Sequence, residues 1–476
     1  MYTEPLAASF LLSVQFLMMV SSKSVLFSLV AVYMIYQVSA VVTKSKTSFS
    51  SRNVTQDISH AITNLARDLS VQIANNRSKS DIISPISIGS SLLLLMRITR
   101  GDTRNELLKL LHLLQYQKND KTIPLNFQQL ITEFLELDQP NATLADSPTW
   151  RNGSKCISSE YDYDEEYDYD DPQTGEANIV RLANAVFVQK GMLNNAELVK
   201  RIKTLYRSTV EDVDFNGAPD RVTKHINKWV NENTNGRISQ IVPDNLSRET
   251  TMIIANALYF KAFWEQVFIE GATKPKKFFP NGENEEPVEA DIMANTGCFP
   301  YYFSKSLDAG IMGFPYTNRS TTMYVILPQN SNRNKLQQLM EKLDAQTLDL
   351  LISNMTMRSA SILFPKMHIT NSFDLKTLLQ KMNVKAMFNP KRGSVDFTPM
   401  NNSSRISTSK LKVSGVMHKV DLEVNEAGTE GGAVTITLQD RIASSVNFRV
   451  LTPFLVAIRH DNTKLLLFYG PVYDPS

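Results

Sequence analysis

Residues Thr429 to Leu438 restrict the fold of this chain more than any other stretch does. Read as a strand with a period of two, this segment has one face that carries only small side chains, those of Thr429, Gly431, Ala433, Thr435 and Thr437. Such a face suits a strand between others over a closely packed core, where a bulky side chain costs about 1–3 kcal/mol. The segment is β-prone and uncharged from Gly431 to Leu438, so permanent exposure would favour aggregation. We therefore predict a central strand; the alternative is an ordinary strand that begins with glycines.

The composition is that of a globular chain. Its 476 residues are 42% hydrophobic and 21% charged, which excludes collagen, a coiled coil and general disorder. The length alone suggests about three domains. However, no internal repeat or linker divides the chain, and helical patterns alternate with strand patterns along it. We therefore predict a mixed α+β fold in a single domain over residues 41–476.

Apolar periodicity places the main elements of this domain. Helices are predicted at Asp57–Asn75, from Ser84-Pro85 through Met96, at about Pro124–Asp138, at Ala196–Tyr206 and at Val222–Asn231. Strands are predicted at Leu182–Val188, Thr251–Phe260, Thr322–Leu327, Ser361–Phe364, Val446–Ile458 and Lys464–Val472. The second helix is apolar on nearly every side, so it must be buried.

Apolar runs at the start of the chain predict its compartment. Residues Val25–Val38 follow Lys23 and end at Val38-Ser39-Ala40, a pattern of small residues that signal peptidase accepts. We predict a signal peptide over residues 1–40 and a secreted, extracellular protein that is not stably associated with a membrane after cleavage. A signal anchor is the alternative, since about 18 apolar residues can span a bilayer.

Glycosylation motifs also favour secretion. Candidate sites are Asn53, Asn76, Asn141, Asn152, Asn245, Asn318, Asn354 and Asn401, and Asn402 begins a further motif that overlaps the last of these. The two cysteines, Cys156 and Cys298, are too few for a disulfide scaffold and have no zinc-site spacing. We predict no metal or cofactor, and for Cys156 a free thiol or an intermolecular disulfide.

The residues that precede and begin the segment Thr429–Leu438 indicate which kind of strand it is. The run Glu423-Val424-Asn425-Glu426-Ala427-Gly428-Thr429-Glu430-Gly431-Gly432-Ala433 resembles the hinge of the reactive centre loop in serpins. That family's pattern is an acidic residue, any residue, then Gly-Thr-Glu and a run of small residues. The resemblance places the reactive centre loop at residues 426–446. It assigns the hinge to Glu426, Gly428, Thr429, Glu430, Gly431, Gly432 and Ala433.

Further serpin-like motifs follow in order over nearly the whole chain after residue 40. They are Ser84-Pro85-Ile86-Ser87-Ile88, Asn256-Ala257-Leu258-Tyr259-Phe260-Lys261-Ala262-Phe263-Trp264, Phe364-Pro365-Lys366, Phe373-Asp374-Leu375-Lys376, Leu411-Lys412-Val413-Ser414-Gly415-Val416-Met417-His418-Lys419 and Thr452-Pro453-Phe454. The resemblance implies the serpin fold, an α+β architecture with a large central mixed sheet, smaller sheets, about eight or nine helices and an exposed reactive centre loop.

The resemblance implies an extracellular serine protease inhibitor and not an enzyme. In serpins the protease cleaves the exposed loop, which inserts into the central sheet as a new strand before the acyl-enzyme is hydrolysed. The inhibitor thus acts as a suicide substrate that traps the protease covalently. The family resemblance further suggests a monomer that acts in an extracellular cascade such as clotting or melanisation, in innate immunity.

Two groups of residues acquire roles from the resemblance. Ser84, Ser87, Asn256 and His418 would form the shutter, a polar cluster beneath the sheet whose hydrogen bonds must be remade when strands part. Trp264, Lys366 and Glu426 would form the breach, which holds the top of the sheet near the start of the loop.

Two neighbouring bonds compete as the site of cleavage. The family spacing from Thr429 indicates Ile442-Ala443, and the spacing back from Pro453 agrees. However, Arg441-Ile442 offers an arginine to trypsin-like proteases, which are commoner partners. We favour Arg441-Ile442 and a trypsin-like target.

Gly431 and Gly432 depart from the family pattern, in which inhibitory members favour alanine. Glycine loses about 0.5–1 kcal/mol relative to alanine in a regular element, so insertion would be slower. Slower insertion would favour simple cleavage of the loop. The alternative function is therefore a non-inhibitory serpin that acts as a carrier or binding protein.

An acidic insert interrupts an otherwise basic chain. The net charge is +2, yet nine acids and no base lie between Lys155 and Arg181. We predict that residues 139–178 are disordered. Four tyrosines lie among the acids, in a pattern that resembles the acidic repeats of heparin cofactor and the tail of hirudin: Tyr161, Tyr163, Tyr167 and Tyr169.

Three roles for this insert remain open. It could be solvated filler, a candidate exosite for the target protease, or an intramolecular cover on the basic residues Lys200, Lys203 and Arg207. The helix expected to bind heparin, at about Pro124–Asp138, has no basic residue, which argues against heparin activation through that helix.

Other function classes are excluded by missing motifs. The sequence has no GxSxG, no HExxH and no P-loop, and its six histidines lie far apart. Nucleic-acid binding would require a basic groove with aromatic residues, which no stretch of the chain provides.

Overall fold

The computed structural model describes residues 54–74, 78–118, 121–136, 148–152, 156, 179–317, 320–389, 396–400, 411–429 and 446–476. The chain divides into two compact units, Met1–Val54 and Thr55–Ser476. The predicted signal peptide, residues 1–40, lies outside the described residues. Among the residues that are described, no helix is both long and apolar enough to cross a bilayer.

Helices and strands alternate along the described chain. The helices are α1 at 54–73, α2 Pro85–Ile98, α3 Gly101–Leu110, α4 Thr122–Glu136, α5 Ala196–Tyr206, α6 Pro219–Asn233, α7 Arg333–Lys342, α8 Ala345–Ser353 and α9 Lys376–Lys381. The strands are β1 Ile179–Gln189, β2 Thr209–Val213, β3 Met252–Phe263, β4 Lys274–Phe278, β5 Val288–Ser304, β6 Ala309–Pro315, β7 Thr321–Pro328, β8 Thr356–Pro365, β9 Met367–Asp374, β10 Gly415–Val424, β11 Gly428–Thr429, β12 Val446–Arg449, β13 Phe454–His460 and β14 Leu465–Val472.

Helix α2 is the buried helix that the sequence predicts. Every residue of it except Arg97 is buried. Pro85 occupies its first turn, where a missing backbone N–H costs no hydrogen bond. The helix packs against β1, β3 and β14, so it lies in contact with strands of both sheets.

The central sheet has the strand order β2-β1-β3-β10-β9, and the short strand β11 pairs with the far end of β3. β1 and β3 are antiparallel, whereas β3 and β10 are parallel, so the sheet is mixed. One face of β1 and β3 packs on α6, where a core forms around Phe187, Val222 and Ile226.

The second sheet has the order β12-β8-β5-β6-β7-β13-β14, with β4 paired to β5. Its core includes Tyr324 and Leu455 from the strands and Leu336 from α7. Two sheets surrounded by helices confirm the predicted α+β class.

The prediction of one strand over Val446–Ile458 is wrong. The chain instead forms β12, which pairs with β8, and β13, which pairs with β7 and β14. Pro453 immediately precedes β13 and has no N–H to donate to a ladder, so the two strands are separate. The sequence patterns also did not predict β2, β4, β5, β6, β9 and β10.

The prediction that residues 139–178 are disordered is wrong for the stretch around Trp150. Residues Thr149–Asn152 form a 3-10 turn in which Trp150 is buried. The Arg151 guanidinium donates a hydrogen bond to the Asp461 carboxylate at 3.2 Å, which fixes this turn to the second sheet. The acidic run itself, with Tyr161, Tyr163, Tyr167 and Tyr169, lies outside the described residues.

The prediction for the cysteines is also wrong, because Cys156 and Cys298 form a disulfide with a Cα–Cα distance of 5.8 Å. Cys298 lies on β5, 142 positions further along the sequence. Sequence spacing could not reveal this pairing, since the fold alone brings the two residues together. The bond attaches the insert covalently to the second sheet.

Candidate functional site

The central sheet contains a seam between β3 and β10. Residues Gly415–Val420 of β10 pair directly and in parallel with Ile253–Leu258 of β3. No other described strand lies between them. Beyond the seam, β11 occupies the edge of β3 at Phe263 and Ala262. The seam is therefore the place where an additional strand would continue β11.

A row of polar residues crosses the sheet at this seam. Asn184 on β1 pairs with Asn256 on β3, Asn256 with His418 on β10, and His418 with Phe373 on β9. The two asparagines and the histidine are buried. The His418 and Phe373 rings are stacked with centroids 6.4 Å apart.

His418 is held from beneath by the start of α2. The backbone N–H of Ser84 donates to His418 Nε2 at 2.9 Å. Burial lowers the pKa of His418 to about 3, and an opposing contribution from the backbone of Asn256 is smaller. The imidazole is therefore neutral at physiological pH, with its proton on Nδ1 because Nε2 accepts.

The other predicted shutter residues make fewer hydrogen bonds. Ser87 Oγ donates to the carbonyl of Ala257 at 3.3 Å, and Ser91 Oγ bonds the Asn256 side-chain oxygen. Several buried polar atoms have no partner among the described residues: Ser84 Oγ, Ser90 Oγ, Asn256 Nδ2, His418 Nδ1 and both amide atoms of Asn184. A buried polar atom that stays without any hydrogen-bond partner costs about 1–3 kcal/mol.

The end of β3 meets the hinge at Trp264. Its indole Nε1 donates to the carbonyl of Asn425 at 3.0 Å, and its backbone N–H donates to the carbonyl of Ala427 at 2.9 Å. The indole also stacks on Tyr316 with ring centroids 4.5 Å apart. Trp264 thus holds the chain on both sides of Glu426.

Glu426 is the centre of the predicted breach. Its carboxylate lies 3.0 Å from Lys366 Nζ and accepts a hydrogen bond from Thr273 Oγ1 at 2.7 Å. Burial by itself raises the pKa of Glu426, but the hydrogen bonds from Thr273 and the backbone, with the charge of Lys366, lower it below its ordinary value. Glu426 is therefore ionised and paired at neutral pH.

Two hinge residues already form a strand. Gly428 and Thr429 pair with Phe263 and Ala262 in the antiparallel direction, and Thr429 Oγ1 bonds the Tyr316 hydroxyl at 2.8 Å. A Cβ atom on Gly428 would collide with the Ala262 carbonyl oxygen and lie 2.7 Å from Phe263 Cα. Only glycine fits this close approach of two backbones.

Comparisons with known proteins agree with this architecture. A sequence model of the family described as Serpin (serine protease inhibitor) matches residues 60–475. The chain belongs to the serpin family.

Related serpins cover most of this chain. It is 35% identical over 440 residues to Serine protease inhibitor 28Dc of Drosophila melanogaster, across 88% of this chain and 79% of that protein. It is 29% identical to Serpin B3 of Homo sapiens, across 88% and 99%. The crystal structure of human thyroxine-binding globulin complexed with thyroxine matches with a TM-score of 0.70 at 20% identity, across 89% of this chain and all of that one. The last likeness concerns the fold alone.

The structure of this serpin brings both predicted groups together. Ser84, Asn256 and His418 meet at the seam. Ser87 bonds the carbonyl of Ala257, the residue that follows Asn256 on β3. Lys366 and Glu426 form an ion pair, and Trp264 holds the adjacent hinge backbone. α4 carries no basic residue in its last turn, and its sequence contains no lysine or arginine.

Sequence reasoning missed four residues of these sites. Asn184 interrupts an apolar strand and could have been recognised by that interruption. Ser91, Tyr316 and Thr273 carry no comparable signal, because each reaches its partner through tertiary contacts alone.

Other predicted residues of this serpin lie outside the described residues. They are the hinge residues Glu430, Gly431, Gly432 and Ala433, the cleavage residues Arg441, Ile442 and Ala443, and the glycosylation candidates Asn53, Asn76, Asn141, Asn318 and Asn401. Of the remaining candidates, Asn245 and Asn354 are exposed. The backbone of Asn152 belongs to the 3-10 turn.

Proposed function

We propose that this serpin inhibits a trypsin-like serine protease outside the cell by cleavage and insertion of its reactive centre loop. The observation that carries this proposal is the position of Gly428 and Thr429, which already pair with β3 directly above the seam. A loop that is freed by cleavage could continue this strand without reversing its direction.

Extension of the observed register supports the proposal. Thr429 pairs with Ala262, so each further loop residue would meet the preceding residue of β3. Glu430 would then lie opposite Lys261, which gives a pair of opposite charges. Thr435 would lie opposite Asn256, in the middle of the seam.

The small face of the loop fits the interior side of this register. Directly opposite residues in an antiparallel pair share one face of the sheet. Thr435 would therefore share the face of Asn256, whose side-chain oxygen bonds Ser91 on α2. The residues with small side chains would all face this buried helix, and Val434, Ile436 and Leu438 would lie on the other face.

Insertion would also remake hydrogen bonds at the shutter. Asn256 Nδ2 and His418 Nδ1 have no partner among the described residues. A threonine hydroxyl can both donate and accept, so Thr435 could satisfy one of these groups. The inserted strand would pair with β3 and β10 at once, which replaces one ladder of backbone hydrogen bonds with two.

The covalent step follows from ordinary serine protease chemistry. The protease serine Oγ attacks the carbonyl carbon of Arg441, an ester forms, and the amide bond to Ile442 breaks as the new amino group takes a proton. Insertion of the loop then carries the esterified Arg441 away from the sheet end where it bound. The proposal keeps Ile442-Ala443 as the alternative bond.

Mixing the purified protein, from Val41 onward, with trypsin-like and elastase-like proteases tests this function. We expect a complex that survives denaturing electrophoresis and a released carboxy-terminal peptide that begins at Ile442. A peptide that begins at Ala443 would show cleavage after Ile442 and would assign the target to a protease class that does not require arginine. Clean cleavage by every protease without a complex would contradict inhibition.

A carrier function is the second candidate, and the glycines at 431 and 432 favour it. A loop that inserts raises the melting temperature of the cleaved protein sharply, whereas a loop that stays outside does not. Calorimetry of the intact and cleaved forms therefore separates the two functions.

We further propose that the acidic tyrosine run acts as an exosite for the target protease. Cys156 is bonded to Cys298, and the neighbouring Gly297 is two strands from Val446, through Ala360. Two strand spacings are about 10 Å. Cys156, which precedes the run in sequence, is thus held close to Val446, which ends the reactive centre loop.

The other end of the insert supports the same proposal. Ile179 pairs with Lys261, beside Ala262, which pairs with the hinge residue Thr429. The residues that flank the segment 157–178 therefore lie near the residues that flank the reactive centre loop. Cys156 is near Val446, and Ile179 is near Thr429. An acidic run there would meet basic surface on that protease.

Replacement of four acids tests the exosite. We expect that Asp162, Asp164, Asp168 and Asp170 changed together to Asn slow association with the target about 10-fold at low salt, and less at high salt. The matched control changes Glu283, Glu285, Glu286 and Glu289 to Gln, which removes the same charge elsewhere. Equal effects of the two sets would exclude an exosite.

Secretion remains part of the proposal. A disulfide between two distant elements is typical of proteins that fold in an oxidising compartment. Exposed Asn245 and Asn354 are accessible to glycosylation. Amino-terminal sequencing of the protein from culture medium would test cleavage after Ala40.

A further inference from the structure

A basic cleft lies at the junction of three helices in the described part of the chain. Its volume is about 850 Å³, and it is bordered by the end of α2, the first turn of α3 and the start of α5. Four arginines line it: Arg97, Arg100, Arg104 and Arg201. They come from sequence positions up to 104 residues apart, so the tertiary fold assembles the cluster.

The positive charge of the cleft is only partly neutralised. Among the lining residues that the structure describes, only Glu197 is acidic, and its carboxylate accepts a hydrogen bond from Arg201 Nε at 2.8 Å. Arg97 and Arg100 make no ion pair with any residue that the structure describes. Within the described part of the lining, Arg97 and Arg100 are therefore the two positive charges that an anion could neutralise.

Several guanidinium groups that line one cleft raise the positive potential there and so attract an anion. Arginine is always charged and presents a planar fork of N–H donors that matches phosphate and sulfate oxygens. The cleft also lies at the first turn of α3, whose backbone N–H groups have no side-chain cap. These groups add to the attraction for an anion.

We propose that this cleft binds a compact anion that carries several phosphate or sulfate groups. Its volume falls within the range of small-molecule sites, which is about 300–1,000 Å³. None of its lining residues belongs to the hinge, the breach or the shutter. It is also separate from α4, which has no basic residue. The proposal does not depend on whether the protein inhibits a protease.

Calorimetric titration of the intact protein with two probes tests this proposal. The probes are inositol hexakisphosphate and inositol hexakissulfate, which carry phosphate or sulfate on the same ring. We expect one of them to bind with a Kd below about 100 μM at low salt and to raise the melting temperature. The stronger probe identifies the ester class that the cleft accepts.

Paired variants locate the site. R97A/R100A should raise the Kd at least 10-fold, and R97K/R100K should recover only part of the affinity, because lysine keeps the charge and loses the fork. The control K276A/K277A removes two exposed positive charges on β4 and should leave the Kd within a factor of two. All variants would first be compared by circular dichroism.

Three results would overturn the proposal. The first is no binding of either probe by the wild-type protein. The second is an equal loss of affinity in R97A/R100A and K276A/K277A, which would indicate a general charge effect. The third is tight binding of an extended heparin oligosaccharide at this cleft without binding of the compact probes, which would assign another ligand class.

Discussion

The shutter, in the middle of the β3–β10 seam, and the breach, beyond the end of that seam, differ in how many of their polar groups have hydrogen-bond partners. At the breach, the indole of Trp264, the carboxylate of Glu426 and the hydroxyl of Thr429 all have partners. At the shutter, Asn256 Nδ2 and His418 Nδ1 have none among the described residues. Specific bonds therefore hold the hinge in position, whereas the proposed insertion of a strand would give the seam below it additional hydrogen bonds.

The largest expected effect comes from the hinge. In Gly428→Val, the new side chain would collide with the backbone of Ala262 and Phe263. Overpacking of about 3 kcal/mol would lower the rate constant of inhibition about 100-fold. Progress curves of substrate hydrolysis by the target protease measure this rate constant.

Gly415→Ala is the matched control for the hinge variant. Its Cβ would meet only the flexible end of Met417, so we expect nearly wild-type inhibition. If Gly428→Val inhibited as fast as this control, the observed pairing of the hinge would be irrelevant to function.

The next effect concerns the pH dependence of the shutter. The pKa of His418 is about 3 in the folded protein and 6.5 ordinarily, so the unfolded chain binds an additional proton between these values. The contribution of His418 to the free energy of unfolding is therefore fully present above pH 6.5. It decreases as the pH falls toward 3, by at most about 1.4 kcal/mol per pH unit.

His418→Gln should flatten this part of the pH profile in urea unfolding. The buried His460, whose pKa is also about 3, would continue to contribute. The exposed His368→Gln serves as the control, and an identical flattening by both variants would refute the role of burial.

A smaller effect tests the register of the inserted strand. Thr435→Val keeps the shape of the side chain and removes its hydroxyl, which we expect to meet Asn256 after cleavage. The cleaved form should then lose about 1–2 kcal/mol of stability in denaturant unfolding. Thr437→Val is the matched control, because Thr437 would lie opposite Ile254. A greater loss in the control would show that the register differs.

The smallest effect is expected at the breach ion pair. Lys366 is 45% exposed, so its pair with Glu426 should contribute about 0.5 kcal/mol and less at high salt. A double-mutant cycle with Lys366→Met and Glu426→Gln measures this coupling. A coupling above about 2 kcal/mol would mean that the breach is held by charge and not by the backbone bonds to Trp264.

Much of this arrangement is predictable from sequence, because short motifs mark it. The hinge run, the start of α2 and the start of β10 identify Glu426, Ser84 and His418 without coordinates. Asn184 and Tyr316 could not be found in this way, since their roles arise from strand register and ring stacking across the sheet.

The disulfide is another feature that sequence alone does not predict, because it depends on tertiary contacts. Cys156 lies in a stretch with the composition of a disordered segment, and nothing in its local sequence indicates a partner 142 positions away. The buried Trp150 nearby was a usable signal, because a large aromatic residue in a polar stretch often marks a point of attachment.

The order of β3, β10 and the hinge along the chain has a consequence for biosynthesis. β10 ends at Val424 and the hinge strand begins at Gly428, so both candidates for the edge of β3 leave the ribosome almost together. A chain that pairs its loop with β3 first would be folded, stable and unable to trap a protease. We therefore expect a kinetic competition between β10 and the loop for the edge of β3 during folding, and a delay in the folding of β10 should lower the yield of the form whose loop remains outside the sheet.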